Sequence, residues 1–202
     1  LRRSDSSAST AGALISDDVR ALATLGDTLW CATGAGLAAF AAGAWIDRTD
    51  VLAAPAGALL AVADTLWIGS AAGPRPYANG ALGPVAPGHF GECLALARAG
   101  GVVYSGTNGI GVFRYAGGAW SATGSGFPLG KTQALGVAPD GALWAGTETG
   151  LARFSPGDDA WTTHSTDGPL VDSVERLVAD ARGVWFTTGN LSAPGTGGGV
   201  VV

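Results

Sequence analysis

The chain has 202 residues, enough for one or two domains, and it combines 34 glycines with aromatics and only 13% charged residues. Disordered chains show the opposite balance of high charge and little apolar content, so this sequence folds. Its net charge of −5, with ten Arg and one Lys scattered and only Arg2-Arg3 adjacent, excludes a nucleic-acid partner, which needs a basic stripe.

In chain order, the sequence restates one pattern: an apolar pair ending in an aromatic, a small-residue turn, then Gly-apolar-x-x-aromatic. The copies are Leu29-Trp30 with Gly36-Leu37-Ala38-Ala39-Phe40, then Leu66-Trp67 with Gly73-Pro74-Arg75-Pro76-Tyr77, then Val103-Tyr104 with Gly109-Ile110-Gly111-Val112-Phe113. Leu143-Trp144 with Gly150-Leu151-Ala152-Arg153-Phe154 is the fourth copy. Val184-Trp185 opens a fifth, whose downstream half is stretched by the Gly-rich Asn190–Gly198. The aromatic anchors at 30, 67, 104, 144 and 185 are 37, 37, 40 and 41 residues apart. Such a period signals a solenoid or propeller built as one repeat body.

The copies carry strand and turn signals. In copy four, Gln133–Ala138 reads as a first strand and Pro139-Asp140-Gly141 as a tight turn in which Gly supplies positive φ. Ala142–Gly146, Leu151–Phe154 and Ala160–Thr163 read as the second to fourth strands, with Ser155–Asp159 as a longer turn. Copy five repeats the opening with Val174–Asp180 and Gly183-Val184-Trp185. Four short strands per copy of about 40 residues is a propeller-blade signature. The expected fold class is all-β: a five-bladed β-propeller of four-stranded antiparallel blades, at about 18–50, 57–86, 90–123, 132–165 and 173–202 plus 1–5. Leu1–Ser4 is expected to pair with Val200–Val202 and close the ring, removing unpaired edges. Ser6–Gly12 would be the flexible link to the first inner strand. Five blades of a larger ring is the alternative.

A ring repeated at one place in every copy fills the wedge between blades, where each aromatic buries about 150–250 Å². Trp30, Trp67, Tyr104, Trp144 and Trp185 are therefore expected in the core, and Trp45, Trp120 and Trp161 pack nearer the rim. Cys31 and Cys93 stand in copies that are not neighbours, and a disulfide needs Cα atoms within about 7 Å, so two buried free thiols are expected. Val51–Ala63, broken by Pro55 and Gly57, is too short to span a bilayer. There is no Met, even at position 1, so the chain is expected to be processed or cut from a longer protein.

At these residues the repeat resembles the two-component regulator propeller repeat. Asp140-Gly141-Ala142-Leu143-Trp144-Ala145-Gly146-Thr147, Gly150–Phe154 and Trp161-Thr162-Thr163 match its pattern nearly throughout. Its Asp-Gly-Leu-Pro connection is echoed by Gly126-Phe127-Pro128-Leu129 and Asp167-Gly168-Pro169-Leu170. Pro74 and Pro76 depart from the pattern and imply a distorted or edge-like third strand in copy two. The resemblance implies a ligand-recognition part of a bacterial histidine-kinase receptor, periplasmic or extracellular, although full sensor propellers have more blades. Val184-Trp185-Phe186-Thr187 is also similar to the repeat of virginiamycin-B-lyase-like propellers. No motif for the catalytic residues of that lyase is found, so none is carried over.

Local chemical motifs are sparse. Gly124–Thr132 ends like a phosphate-binding loop, but Ser stands at 125 where the leading Gly belongs, and a strand rather than a helix follows. His89 and His164 lack ligand-spaced partners for a metal, Asp158-Asp159 and Asp17-Asp18 do not form a calcium loop, and no Gly-x-Ser-x-Gly announces a nucleophile. No catalytic residue, cofactor or metal is expected.

A ligand is expected on the face that gathers the second-to-third-strand turns and the inter-blade connections. The turns offer Thr33, Ser70, Thr107, Asn108, Thr147, Glu148, Thr188 and Asn190, and the connections add Arg48, Asp50, His89, Lys131, His164 and Asp167. Hydroxyls, amides and few charges suit a carbohydrate or peptide. The expected function is non-enzymatic recognition within a larger bacterial protein. A docking scaffold for a partner protein domain, and then a lyase or hydrolase, are the alternatives.

Overall fold

The computed structural model describes residues 13–128, 130–164, 173–188 and 198–201. The first copy holds β1 (Val19–Leu25), β2 (Thr28–Thr33), β3 (Gly36–Ala41) and β4 (Ala44–Asp47), and the second holds β5 (Ala56–Val62), β6 (Thr65–Ser70), β7 (Gly73–Ala78) and β8 (Ala81–Leu82). The third holds β9 (Cys93–Ala99), β10 (Val102–Thr107), β11 (Val112–Ala116) and β12 (Ala119–Ala122), the fourth β13 (Thr132–Val137), β14 (Leu143–Thr147), β15 (Gly150–Ser155) and β16 (Ala160–His164). The fifth holds β17 (Val174–Asp180), β18 (Gly183–Thr188) and β19 (Gly198–Val201). Each copy is one sheet with its strands in sequence order, four-stranded in the first four copies and three-stranded among the described residues of the fifth. The chain is all-β and its sheets are antiparallel meanders. Leu1–Ser4, Ser6–Gly12 and Val202 lie outside the described residues, so the expected closing strand falls there too.

The chain divides into two compact units, Leu1–Ile68 with Pro76–Gly83, and Gly69–Arg75 with Pro84–Val202. Alternation along the strands gives each sheet two apolar faces. In the first unit, one face of the first sheet (Trp30, Ala32, Leu37, Ala39) packs on Leu59, Leu66, Ile68 and Tyr77 of the second. In the second unit, Ala97, Tyr104 and Val112 of the third sheet meet Leu143, Ala145 and Phe154 of the fourth. Trp144 and Leu151 of the fourth then meet Val174, Val184 and Phe186 of the fifth. The rule is the same three times: the face bearing the anchor aromatic, here the Trp face, is covered by the opposite, aliphatic face of the next sheet, here the Leu face. Equivalent ring pairs recur, Trp30 on Tyr77 at 5.2 Å and Tyr104 on Phe154 at 6.0 Å between centroids.

Three expectations need correction. Trp185 is 44% exposed, whereas Trp30, Trp67, Tyr104 and Trp144 are buried. It stands on the Trp face of the last sheet, paired with Val178, and no later sheet covers it among the described residues. In copy three the repeat is offset by two: Gly106 pairs with Val112 and Val103 with Tyr115, so the third strand matching Gly150–Phe154 is Gly111–Tyr115, not Gly109–Phe113. The turn between Thr107 and Gly111 is one residue longer than the turns after Thr33, Ser70 and Thr147, so the glycine that opens the third strand is Gly111 rather than Gly109. Finally, β7 is no edge strand, since it lies between β6 and β8. Its prolines act on the neighbour instead: β8 pairs through Tyr77↔Leu82 and Ala78↔Ala81, and Gly83 N–H still donates to the Pro76 carbonyl at 2.7 Å, but Pro76 has no N–H to return the bond.

Both thiols are free and buried, and Gly141 takes φ +84° in the Asp140 turn.

Candidate functional site at the turns of copies three and four

The hydroxyls expected in the second-to-third-strand turns point inward. Thr33, Ser70, Thr107 and Thr147 are buried, and each donates to the carbonyl of the glycine that opens the third strand. The bonds run to Gly36 (2.9 Å), Gly73 (2.9 Å), Gly111 (2.7 Å) and Gly150 (3.0 Å). The Thr oxygens also accept a backbone N–H of their turn, from Ala35, Ile110 or Thr149. Those glycines sit at φ between +105° and +135°, a region open to glycine and strained for other residues. Hydroxyl and glycine together form one repeated turn lock. Thr188 is half-buried and pairs with Val174 at the matching position. Asn190 and Asp167 lie outside the described residues.

The residues in the connections divide. Arg48 lies 5.0 Å above the Trp30 ring and 5.8 Å from the Tyr77 ring, donates to the Tyr77 hydroxyl (3.0 Å) and pairs with Asp50 (3.1 Å). That partnership holds the exposed Asp50 carboxyl below its usual range, the Arg48 hydrogen bond being the main cause. His164, three residues after Trp161 as Arg48 is three after Trp45, lies 5.2 Å from the Trp144 ring. Both cap an anchor indole.

His89 is buried between Phe113 (4.8 Å) and Trp120 (5.2 Å), with Nε2 2.9 Å from Ser105 Oγ. Burial lowers its pKa from 6.5 to about 4, so it is neutral near pH 7. Its Nδ1 is buried without a hydrogen-bond partner. Burial likewise pushes the nearby Cys93 thiol up to about 12. This Ser–His pair has the reach of a nucleophile and base, but Ser105 is fully buried and out of reach of any substrate.

The remaining expected residues come together. Asn108 bridges Lys131 through the backbone, and the Lys131 ammonium pairs with Glu148 at 3.4 Å. Asn108 also donates its side-chain amide to Glu92 (3.1 Å). Glu92, Asn108, Lys131 and Glu148 thus form a polar strip along the turn ends of the third and fourth sheets. Beside it in sequence and space runs a groove of about 260 Å³ lined by Gly109–Val112 and Ala122–Pro128. Gly124–Pro128, the segment resembling a phosphate loop, is the groove wall. Ser125 bridges Ala160, Phe127 packs edge-on to Trp161 at 4.7 Å, and β13 follows. No helix N-terminus meets an anion there.

A second cleft, of about 350 Å³, opens at the opposite ends of the fourth and fifth sheets. Its walls are Ala138–Asp140, Trp144, Arg153 and Asp180–Gly183. Its charges are mutually paired, Arg153 with Asp140 (3.0 Å) and Arg182 with Asp180 (3.2 Å). Both carboxyls are held below their usual range, chiefly by the backbone N–H groups of Ala142 and Arg182. Among the described residues, no three His, Cys, Asp or Glu side chains gather as a metal group, and no helix is long and apolar enough to cross a membrane.

The missed residues are Glu92 and Ser105. The first is the partner of Asn108, and nothing local in the sequence marks that pairing.

No protein-family model matches the sequence, and no curated protein matches it. Solved structures do. The extracellular domain of the putative hybrid two-component system BT4673 from B. thetaiotaomicron is similar at TM-score 0.69 and 23% identity, over 85% of this chain and 26% of that one. The corresponding domain of BT3049 from the same organism is similar at TM-score 0.70 and 15% identity, over 91% of this chain and 28% of that one. Virginiamycin B lyase from Staphylococcus aureus is similar at TM-score 0.67 and 12% identity, over 84% and 63%. The chain therefore spans about a quarter of the length of the two extracellular domains. At these identities the likeness establishes a fold, repeated antiparallel four-stranded sheets of the propeller-like kind.

Proposed function

We propose that this chain is a non-enzymatic recognition module of a larger sensor protein, exposed outside the cytoplasm, and that its ligand docks at the turn ends of the third and fourth sheets. The observation that carries this reading is the Glu92–Asn108–Lys131–Glu148 strip beside a groove walled by glycine backbone. Side-chain amide, ammonium and carboxylate with nearby open backbone suit a ligand rich in hydrogen-bonding groups, a carbohydrate or a peptide. The two-component context of the similar extracellular domains supports the sensor reading. In this reading the five sheets are propeller blades. Leu1–Ser4 against Val200–Val202 would close a five-bladed ring, while the open Trp185 face favours five blades of a larger one.

Thermal shift of the purified chain against a panel of oligosaccharides and short peptides tests the reading. A rise in melting temperature that Asn108→Ala and Lys131→Ala each remove, with the unliganded melting temperature unchanged, is expected. A flat panel would count against it. A docking scaffold for a partner protein is the second reading, favoured by the uncovered apolar residues Val178 and Trp185.

A further inference from the structure

The last sheet breaks the covering rule. Its Trp face shows Trp185 at 44% and Val178 at 65% exposure, and the anchor aromatics before it are each 7% exposed or less. A shallow cleft of about 270 Å³ lies there, bounded by Arg176–Val178 and Trp185–Thr187 and almost wholly apolar. The first sheet shows the complementary exposure. On its Leu face, Leu22 is 56% and Phe40 37% exposed. These are the positions that Leu59 and Tyr77 take in the second sheet, where they cover Trp30.

We propose that a second copy of this chain covers the Trp185 face with the Leu face of its first sheet, so that copies associate head to tail. The contact continues the stacking series already built three times, Trp face on Leu face, with Leu22 and Phe40 in the roles of Leu59 and Tyr77. Among the described residues both faces stand exposed. Charge agrees in sign: the charged residue lining the cleft is Arg176, and Asp47 stands on the Leu face of the first sheet, paired with Ala38. Because the two patches differ, the interface is heterologous, and every head-to-tail assembly that does not close into a ring keeps one free face of each kind at its ends. The proposal rests on the fold alone, and its failure leaves the ligand reading untouched.

Sedimentation velocity of the purified chain over a wide concentration range is the test. The mean mass is expected to rise with concentration. Trp185→Glu and Leu22→Glu change exposed residues, and far-UV circular dichroism confirms that each variant folds. Each alone is expected to be monomeric. Mixed, they should form a one-to-one dimer that grows no further, because one keeps the intact Leu face and the other the intact Trp face. A wild-type chain that stays monomeric at every concentration overturns the proposal, whether the face is filled within the chain or by blades of a longer parent. Loss of association in Trp185→Glu but not in Leu22→Glu also overturns it, since identical faces would then be meeting.

Discussion

Trp30 and Trp185 occupy the same place in the repeat and meet opposite surroundings. Trp30 packs on Tyr77 beneath the Arg48 guanidinium and is 4% exposed. Trp185 is 44% exposed, and its indole N–H donates to Asp180 at 3.4 Å. Repetition therefore fixes where a side chain points, and the next sheet decides what it gains there. Burial energy scales with area removed from water, so two identical residues at identical positions contribute very differently to stability.

The largest expected effect tests that difference directly. Trp30→Ala leaves a cavity against Tyr77 and removes the ring under Arg48, and is expected to cost about 3–5 kcal/mol. Trp185→Ala removes a ring already half in water and is expected to cost less than about 1 kcal/mol. Urea unfolding of both variants at a concentration where the chain is monomeric measures the gap. Equal losses would mean that Trp185 is covered in solution.

A second test concerns pH. Burial holds the folded-state pKa of His89 near 4, against 6.5 for an unperturbed histidine. Below pH 6.5 the unfolded chain takes up a proton that the folded chain refuses until about pH 4. The His89 contribution is thus complete above that window, falls as pH drops through it, and levels off beneath it. The total is on the order of 3 kcal/mol. Asp50, Asp140 and Asp180 are all lowered from 3.8 and begin to lose their stabilising contribution only below about pH 5, so the fall between pH 6.5 and 5 reports His89. His89→Phe is expected to flatten the fall between pH 6.5 and 5 in unfolding midpoints, whatever its effect at neutral pH.

The turn locks give a smaller effect. Thr33→Val keeps the shape but strands the Gly36 carbonyl and the Ala35 N–H, and is expected to cost about 1–2 kcal/mol. Asn108→Ala, on the exposed strip, is expected to stay within about 0.5 kcal/mol. Thermal unfolding of the two variants separates a turn lock from a residue free to meet a ligand.

These contrasts show how far the sequence could be read. The period placed every second strand, because an aromatic anchor (Trp30, Trp67, Tyr104, Trp144, Trp185) repeats in phase with the strand it sits on. The copy-three offset stayed hidden because Gly109 and Gly111 both present a glycine before an apolar residue, and only pairing with Val103–Gly106 chooses between them. Thr33, Ser70, Thr107 and Thr147 read as ligand groups by chemistry. Yet they recur at one place in each copy just as the tryptophans do, which already points to a structural task. Arg48 and His164 belong to the same lesson, since nothing local shows that a connection folds back over the indole of its own sheet. What survives as a candidate site, Asn108, Lys131 and Glu148, is the part that does not repeat. The partner Glu92 arrives from 16 residues away, a separation no local pattern reports.

The smallest expected effect compares two arginines. Arg48 is three-quarters shielded in its side chain, lies over Trp30 and Tyr77, and donates to a phenol. Arg153 meets only Asp140 among its described charged partners, and both side chains are largely in water, 40% and 58% exposed. Salt screens an exposed pair and scarcely reaches a guanidinium lying on a ring. Arg48→Ala is therefore expected to cost about 1 kcal/mol, nearly the same at low and high salt, because much of the loss is stacking and packed stem. Arg153→Ala is expected to cost under about 0.5 kcal/mol and to become silent in high salt. Urea unfolding of both variants at two ionic strengths distinguishes them. If Arg48→Ala proved as salt-sensitive as Arg153→Ala, the Asp50 ion pair rather than the indole would be what holds the first connection over the Trp30 face.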